Sequence, residues 1–307
     1  MKIVFFGTPD FAVASLKALV NNGYQVVGVV TATDKWLGRG HEKKLVETPV
    51  KKYALEMGIP VLQPEKLRNP DFLKDLKDLQ ADIQVIVAFR MLPEMVWNMP
   101  PMGTINVHAS LLPKYRGAAP INWAIINGEK ETGVTTFRLQ HEIDTGNILC
   151  QLKTSIAPEE NAGSLHDRLM KLGADCIVQT LELLDRHPDA GTPQPDEAPI
   201  KAPKLFLDNC KIDFHQTTDE VYNFIRGLSP YPAAWTDFDQ KIMKIYVAHK
   251  NEKIPGIEPG QVYTDHKNIF AFGTTNGSIQ VDSLQIEGKR KMEVAEFLRG
   301  IQGHRKL

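Results

Sequence analysis

From the first residue to about position 186, short apolar runs alternate with amphipathic stretches. Residues 2–6 are an apolar run that ends at Gly7-Thr8-Pro9-Asp10. Phe11, Ala12, Ser15, Leu16, Leu19 and Val20 then recur at helical spacing, and Asn21-Asn22-Gly23 stops them. Residues 25–30 are a valine-rich strand candidate. This strand–helix–strand opening predicts a parallel, doubly wound α/β sheet. Thr48-Pro49 and Asn69-Pro70 each set a capping residue before proline, which predicts helix starts. Residues 83–87 and 104–107 are short, apolar and bounded by breakers, so they are expected as buried strands. Further strands are expected at 134–138 and 148–156, and a long helix from 164 to about 184.

The pattern then changes. Between His187 and Pro203 there are five prolines and few large apolar residues, so 187–204 is expected to be an extended linker. Beyond it come one helix candidate (218–226) and short strands at 241–248, 269–272 and 278–284. These predict a small C-terminal β-barrel of the OB-like kind. The organisation expected is therefore a Rossmann-like catalytic domain over 1–186, a linker over 187–204 and a barrel over 205–307.

Composition narrows the class. A chain of 307 residues with 42% hydrophobic and 24% charged residues has the balance of a soluble globular enzyme, and its length suits two domains. No apolar run approaches the roughly 18 residues that span a bilayer. The opening apolar run is too short for a signal peptide, and Cys150, Cys176 and Cys210 have no disulfide or zinc spacing. A reducing cytoplasm is expected, with no membrane. A net charge of −1 supplies no global field for nucleic acid, so any RNA contact must come from local patches.

Candidate chemistry begins at the end of the strand at 104–107. Asn106 and His108 are two apart, so strand alternation puts both side chains on one face. The carboxyl end of a strand is where open α/β sheets place their ligands. A carboxamide beside an imidazole offers donors for a developing oxyanion and a carrier for a proton. The alternative is a turn-capping Asn and a satisfied core His. Asp144 follows in a loop closed by Thr145-Gly146. There it can orient His108 and offset the charge of a protonated ring, although an Asx-turn aspartate is the commoner fate of this pattern. His141-Glu142 has no second ligand pair at metal-binding spacing.

The stretch Asn106-Val107-His108-Ala109-Ser110-Leu111-Leu112-Pro113-Lys114-Tyr115-Arg116-Gly117-Ala118-Ala119-Pro120, followed by the Asp144-Thr145-Gly146 loop, resembles the signature of the folate-dependent formyltransferases. Gly7-Thr8-Pro9-Asp10-Phe11-Ala12, Glu131-Thr132-Gly133-Val134-Thr135 and Lys211-Ile212-Asp213-Phe214 resemble the branch that acts on methionyl-tRNA. The likeness runs over nearly the whole chain. It implies that Asn106, His108 and Asp144 are catalytic and that 10-formyltetrahydrofolate is the formyl donor. It also implies that the initiator methionyl-tRNA amine is the acceptor, that no metal is needed and that the protein is monomeric. The folate pocket implied involves Phe89, Arg90, Met91, Leu92, Ser110, Leu111, Leu112, Pro113, Gln140 and His141. Leu112 and Pro113 are equally expected as plain core. Two departures stand out. The segment Ala88-Phe89-Arg90-Met91-Leu92-Pro93 lacks the glycine usual there, and His41-Glu42 interrupts the basic loop after the second strand.

That loop, from Lys35 to Lys52, holds six Lys or Arg against two Glu, a local charge of +4. By composition alone it is a solvated, flexible loop. Given the resemblance, Lys35, Arg39, Lys43 and Lys44 are expected to contact the tRNA acceptor arm, with Trp36 available to stack on a base. A second basic cluster, Lys289 to Lys306, suits either RNA contact or a solvated terminus.

Three rival functions are weaker. A nicotinamide-dependent oxidoreductase needs Gly-x-Gly-x-x-Gly after the first strand; only Gly7 is present, and Pro9 has no N–H to offer a phosphate. Formyl transfer to an amino-sugar nucleotide or another small amine shares the Asn-His-Asp chemistry, but leaves the basic loop and the barrel without a role. A non-enzymatic RNA-binding module leaves Asn106, His108 and Asp144 unexplained.

Overall fold

A computed structural model describes residues 1–38, 43–195 and 200–301, apart from the side chains of 37 and 301. The chain forms two compact units. The first comprises Met1–Arg116, Gly133–Thr154 and His166–Lys201; the second comprises Gly117–Thr132, Ser155–Leu165 and Ala202–Leu307.

The first unit opens with β1 (Lys2–Gly7), α1 (Asp10–Asn21) and β2 (Gln25–Val30). A short antiparallel hairpin follows, β3 (Lys35–Leu37) and β4 (Lys44–Val46). Next come α2 (Pro49–Glu56), β5 (Val61–Leu62), α3 (Pro70–Asp78), β6 (Ile83–Val87), α4 (Glu94–Trp97) and β7 (Thr104–His108). The two-residue β8 (Arg116–Gly117) carries the chain into the second unit, where α5 (Pro120–Ile126) lies. The chain returns through β9 (Glu131–Arg138), leaves through β10 (Ile148–Ser155) and returns again along α6 (Ala162–Arg186).

The main sheet has the order β10-β9-β7-β6-β1-β2-β5. Pairs β1–β2, β1–β6, β6–β7 and β2–β5 are parallel, and β9 runs antiparallel to β7. Strand β6 is buried at all five positions and β1 at five of six, as in sheets covered on both faces. The strand order reverses between β1 and β6, which places a switch point between the carboxyl ends of those two strands, with β7 the next strand beyond β6. Both Xaa-Pro helix starts form as expected. Thr48 Oγ1 accepts from Lys51 N at 3.1 Å, and Asn69 Oδ1 accepts from Asp71 N at 2.8 Å.

Two boundaries differ from expectation. Residues 117–132 and 155–165, expected in the catalytic domain, belong to the second unit. The cause is α5, which lies along α7 (Thr218–Leu228): Asn122 Nδ2 donates to Gly227 O at 2.8 Å, and Arg226 Nη1 donates to Glu160 O at 2.7 Å. Residues 187–195, part of the 187–204 stretch expected as an extended linker, pack on the first unit. Arg138 donates to Ala190 O and Pro188 O, and Ile148 and Thr192 exchange backbone hydrogen bonds at 2.8 and 2.9 Å. The connector ends at the two-residue β11 (Lys201–Ala202).

The second unit carries β12 (Ala234–Phe238), β13 (Lys241–Asn251), β14 (Val262–Thr264), β15 (Phe270–Gly273), β16 (Ser278–Ile286), β17 (Met292–Glu293) and α8 (Val294–Ile301). The first five strands form an antiparallel sheet in the order β12-β13-β16-β15-β14, and β17 pairs with β16. Irregular register around Val247 bends β13. The concave face encloses Phe270, Phe272, Phe214 and Phe297, packed against α7. This is the small barrel-like domain that the short strands predict.

Candidate active site

Strand β7 ends the parallel part of the sheet with Asn106 and His108. Asn106 stands between Ile86 and Phe137 in register, and His108 stands opposite Thr135. Asn106 is half-buried, and its carboxamide makes no hydrogen bond to any described group. A strand-end carboxamide with its donors free suits an incoming oxygen better than it suits a turn cap.

His108 is held firmly. It is 7% exposed, and its Nε2 lies 2.9 Å from Tyr115 O. A carbonyl only accepts, so Nε2 carries the proton and Nδ1 is the nitrogen left for chemistry. Nδ1 faces Asp144, with 3.9 Å to Oδ2. This is beyond a direct hydrogen bond and within reach of one that tightens on ligand binding or through a water. The structure thus brings His108 and Asp144 together from positions 36 residues apart in sequence.

The loop after His108 is built to present Tyr115 O. Tyr115 is buried with φ +61°, in the left-handed region. Ser110 Oγ donates to Lys114 O at 2.7 Å, and Thr135 Oγ1 donates to Ser110 O at 2.7 Å. Gln151 Nε2 donates to Leu112 O at 2.9 Å. Ser110, Leu112 and Pro113, expected at the folate pocket, are buried in this loop. Leu111 is half-buried against β9, since a Cβ on Gly133 would stand 2.6 Å from its Cδ2. Tyr115 acts through its carbonyl, and Thr135 and Gln151 grip backbone carbonyls with their side chains, so nothing in the residues they hold signals this role in the sequence.

The other expected pocket residues lie on two loops that meet. Phe89, Leu92 and Leu139 belong to one apolar cluster, and Phe89 packs edge-on against Phe6 at 5.6 Å. His141 Nδ1 lies 3.9 Å from Glu94 Oε2 across the loops. Met91 and Ile143 are 72% and 59% exposed, leaving apolar surface for a flat ring. Gln140 and His141 are exposed. Arg90 occupies the segment that lacks the usual glycine. Its guanidinium donates to Glu65 O at 2.8 Å and to Pro64 O, while Ala88 takes the positive φ of +48°.

The basic loop is not shapeless. In the β3–β4 hairpin Trp36 stands opposite Leu45 and Lys35 opposite Val46. Lys35, Lys43 and Lys44 are exposed, and so are Trp36 and Leu45, at 66% and 50%. Arg39 lies outside the described residues. Lys51 on α2 pairs with Asp34 before the hairpin and with Glu47 after it, and Gln63 Nε2 donates to Asp34 Oδ1 at 2.8 Å. The Lys51 ammonium and the Gln63 amide hold the Asp34 carboxyl below its usual range, and Asp34 and Glu47 push Lys51 up. Of the second basic cluster, Arg290 pairs with Glu296 and Lys291 lies over the Tyr246 ring.

Among the described residues no group of three or more His, Cys, Asp or Glu is placed to hold a metal, and no helix is long and apolar enough to cross a membrane.

Strand-end amide, fixed imidazole and loop carboxylate on a doubly wound sheet are the parts of an acyl-type transferase, and comparison with known proteins agrees. A family model described as formyl transferase matches residues 1–181, and one described as formyl transferase, C-terminal domain, matches residues 204–302. The chain belongs to the formyl transferase family. The methionyl-tRNA formyltransferase of Parabacteroides distasonis is 51% identical, over 98% of this chain and 96% of that protein. The methionyl-tRNA formyltransferase of Bacteroides fragilis is 48% identical, over 98% and 95%. A solved N-formyltransferase of Helicobacter canadensis, in complex with folinic acid and dTDP-3-aminofucose, shares the fold at a TM-score of 0.69 and 21% identity, over 92% of this chain and 98% of that one.

Proposed function

We propose that this enzyme transfers the formyl group of 10-formyltetrahydrofolate to the free amine of initiator methionyl-tRNA, without a metal. The chemistry rests on one observation: an unengaged Asn106 carboxamide beside a His108 whose Nδ1 is turned to Asp144. The choice of acceptor rests on near-full-length similarity to proteins named for it.

A free α-amine titrates at about 8; the neighbouring aminoacyl ester withdraws electrons and lowers that, so a substantial share is neutral at pH 7 and ready to attack. The residues must therefore stabilise charge and move a proton. Asn106 Nδ2 donates to the formyl oxygen as negative charge develops on it. His108 Nδ1 takes the proton that the attacking nitrogen loses, and Asp144 offsets the resulting imidazolium. The proton then leaves with the departing folate nitrogen. Tyr115 O keeps the ring in the tautomer this needs. The folate supplies the activated formyl group; Phe89, Leu92 and the exposed Met91 and Ile143 offer apolar contact for its ring, with Gln140 and His141 at the rim. Lys35, Lys43 and Lys44 contact phosphates of the acceptor arm, and Trp36 stacks on a base.

The test is direct. Charged initiator tRNA and 10-formyltetrahydrofolate are incubated with the protein, and N-formylmethionine is sought after mild hydrolysis of the ester. Formylation of an amino-sugar nucleotide but not of methionyl-tRNA would overturn the acceptor assignment.

A further inference from the structure

His108 ends β7 and Asp144 sits on a loop, and one side chain joins that loop to the segment that follows His108. The His108 loop ends at Tyr115, whose carbonyl accepts from Nε2, and the next residue is Arg116. Asp144 stands on the other loop with φ +56°. Gln194, between Pro193 and Pro195, reaches both. Its Nε2 donates to Asp144 O at 2.7 Å and to Gly146 O at 2.9 Å. Its Oε1 accepts from Arg116 Nε at 3.2 Å and from Arg116 Nη2. A carboxamide offers two N–H donors and an oxygen with two lone pairs, so all of its capacity is used.

The result is a closed circuit: His108, Tyr115, Arg116, Gln194, Asp144 and back to His108. Its one unbonded span is the 3.9 Å between Nδ1 and Oδ2. Within the Asp144 loop Thr145 Oγ1 donates to Glu142 O at 3.1 Å, and Arg138 N donates to Asn147 O at 3.0 Å. Glu142 is exposed and Ile143 is 59% exposed. The exit is fixed at Gly146, where a Cβ would stand 1.7 Å from Arg138 O. Two of the three peptide carbonyls at 144 to 146 are the groups that Gln194 holds. The stretch before Gln194 is fastened independently of it, by the Ile148–Thr192 pair and by Arg138.

We propose that Gln194 is a positioning residue for formyl transfer. It holds the Asp144 backbone so that the carboxylate stays at its working distance from His108, and Arg116 orients the carboxamide that does this. The inference rests on the reading of Asp144 as part of the catalytic machinery. Gln194 falls between the segments that the two family models match, 1–181 and 204–302.

Two substitutions in the full chain test it. Gln194→Ala removes all four bonds. Gln194→Glu keeps the acceptor for Arg116 but has no N–H for the two carbonyls. Both are expected to lower kcat by on the order of 10²-fold, the cost of a displaced catalytic group, with KM for methionyl-tRNA and for 10-formyltetrahydrofolate changed only a few-fold. In an Asp144→Asn background the same substitutions should cost little more, because there is no carboxylate left to misplace. Wild-type kcat in both Gln194 variants alongside a crippled Asp144→Asn would overturn the inference while sparing the reading of Asp144. A full multiplicative loss in the double variants would overturn it as well, by assigning Gln194 a general structural role. A fully active Asp144→Asn would remove both.

Discussion

Asn106→Ala separates catalysis from stability more cleanly than any other substitution in this site. The Asn106 side chain makes no hydrogen bond to a described group, and it is half-buried between Ile86 and Phe137. Truncation therefore strands no partner, and its cost is that of a mid-strand change to alanine, about 1 kcal/mol or less. If the carboxamide donates to the developing oxyanion, its loss should slow formyl transfer by roughly 10²–10³, or about 3–4 kcal/mol of activation free energy. The two figures differ enough to be told apart. Thermal unfolding measures the first; kcat and KM for each substrate measure the second. The loss should fall on kcat, since the donor acts where charge develops rather than on the bound ground state. A folded variant with kcat within a few-fold of the wild type would refute the role. A loss confined to KM for the folate would make Asn106 a binding group instead.

Asp144→Asn should leave unfolding nearly unchanged and activity severely reduced, because the amide cannot offset an imidazolium; retained activity would make Asp144 an Asx-turn residue. Lys35→Ala, Lys43→Ala and Lys44→Ala together should weaken methionyl-tRNA binding and flatten the slope of log affinity against log salt by about 2, at roughly 0.7–0.9 per phosphate contact. An unchanged slope would leave the hairpin a solvated surface. Lys51→Met should raise KM for methionyl-tRNA more than it lowers kcat, because it releases Asp34 and Glu47 at the two stems of the hairpin; hydrogen exchange at Lys35 to Leu37 should rise with it, and unchanged exchange would count against the pin. The depressed Asp34 carboxyl supports the folded hairpin above the ordinary carboxylate range and loses that support only as pH falls through its lowered value. Lys51 contributes below its ordinary value near 10.5 and loses its contribution as pH rises through the elevated one. Exchange at the hairpin should therefore be insensitive to these two groups across neutral pH and rise at both extremes; a step near pH 7 would implicate some other group.

How much of this was legible depends on what held each element. β1, β2, β6 and β7 are buried on both faces, so their apolar runs stand out against the breakers around them, and their limits fall within a residue of expectation. The β3–β4 hairpin was not legible, since Trp36 and Leu45 face solvent and no apolar period marks the strands. The excursion of α5 into the second unit was also hidden: Pro120 and Ile125 pack like the core residues of any amphipathic helix, and their partner on α7 lies about a hundred residues later. Proline content made 187–195 look like free chain. It is tied down by bonds from Arg138 to carbonyl oxygens, and a carbonyl has the same chemistry in every residue.

The same distinction runs through the active site. In the proposed mechanism Asn106, His108 and Asp144 act through their side chains, so the residue type would be the function and the motif can be recognised. Tyr115 fixes the His108 tautomer through its carbonyl, and Gln194 grips Asp144 through two more. The groups gripped have no residue identity, and only the gripping amide does. Its sequence signature is one glutamine between two prolines, in a stretch that reads as linker. A reacting group can thus be found by its chemistry, whereas the groups that aim it emerge only when the hydrogen bonds of the loops are traced to their ends. In this enzyme, tracing them from His108 Nε2 returns to Asp144. On the proposed reading, the distance across which the proton is managed is set by a ring of ordinary amides and one guanidinium, none of which touches the reacting atoms.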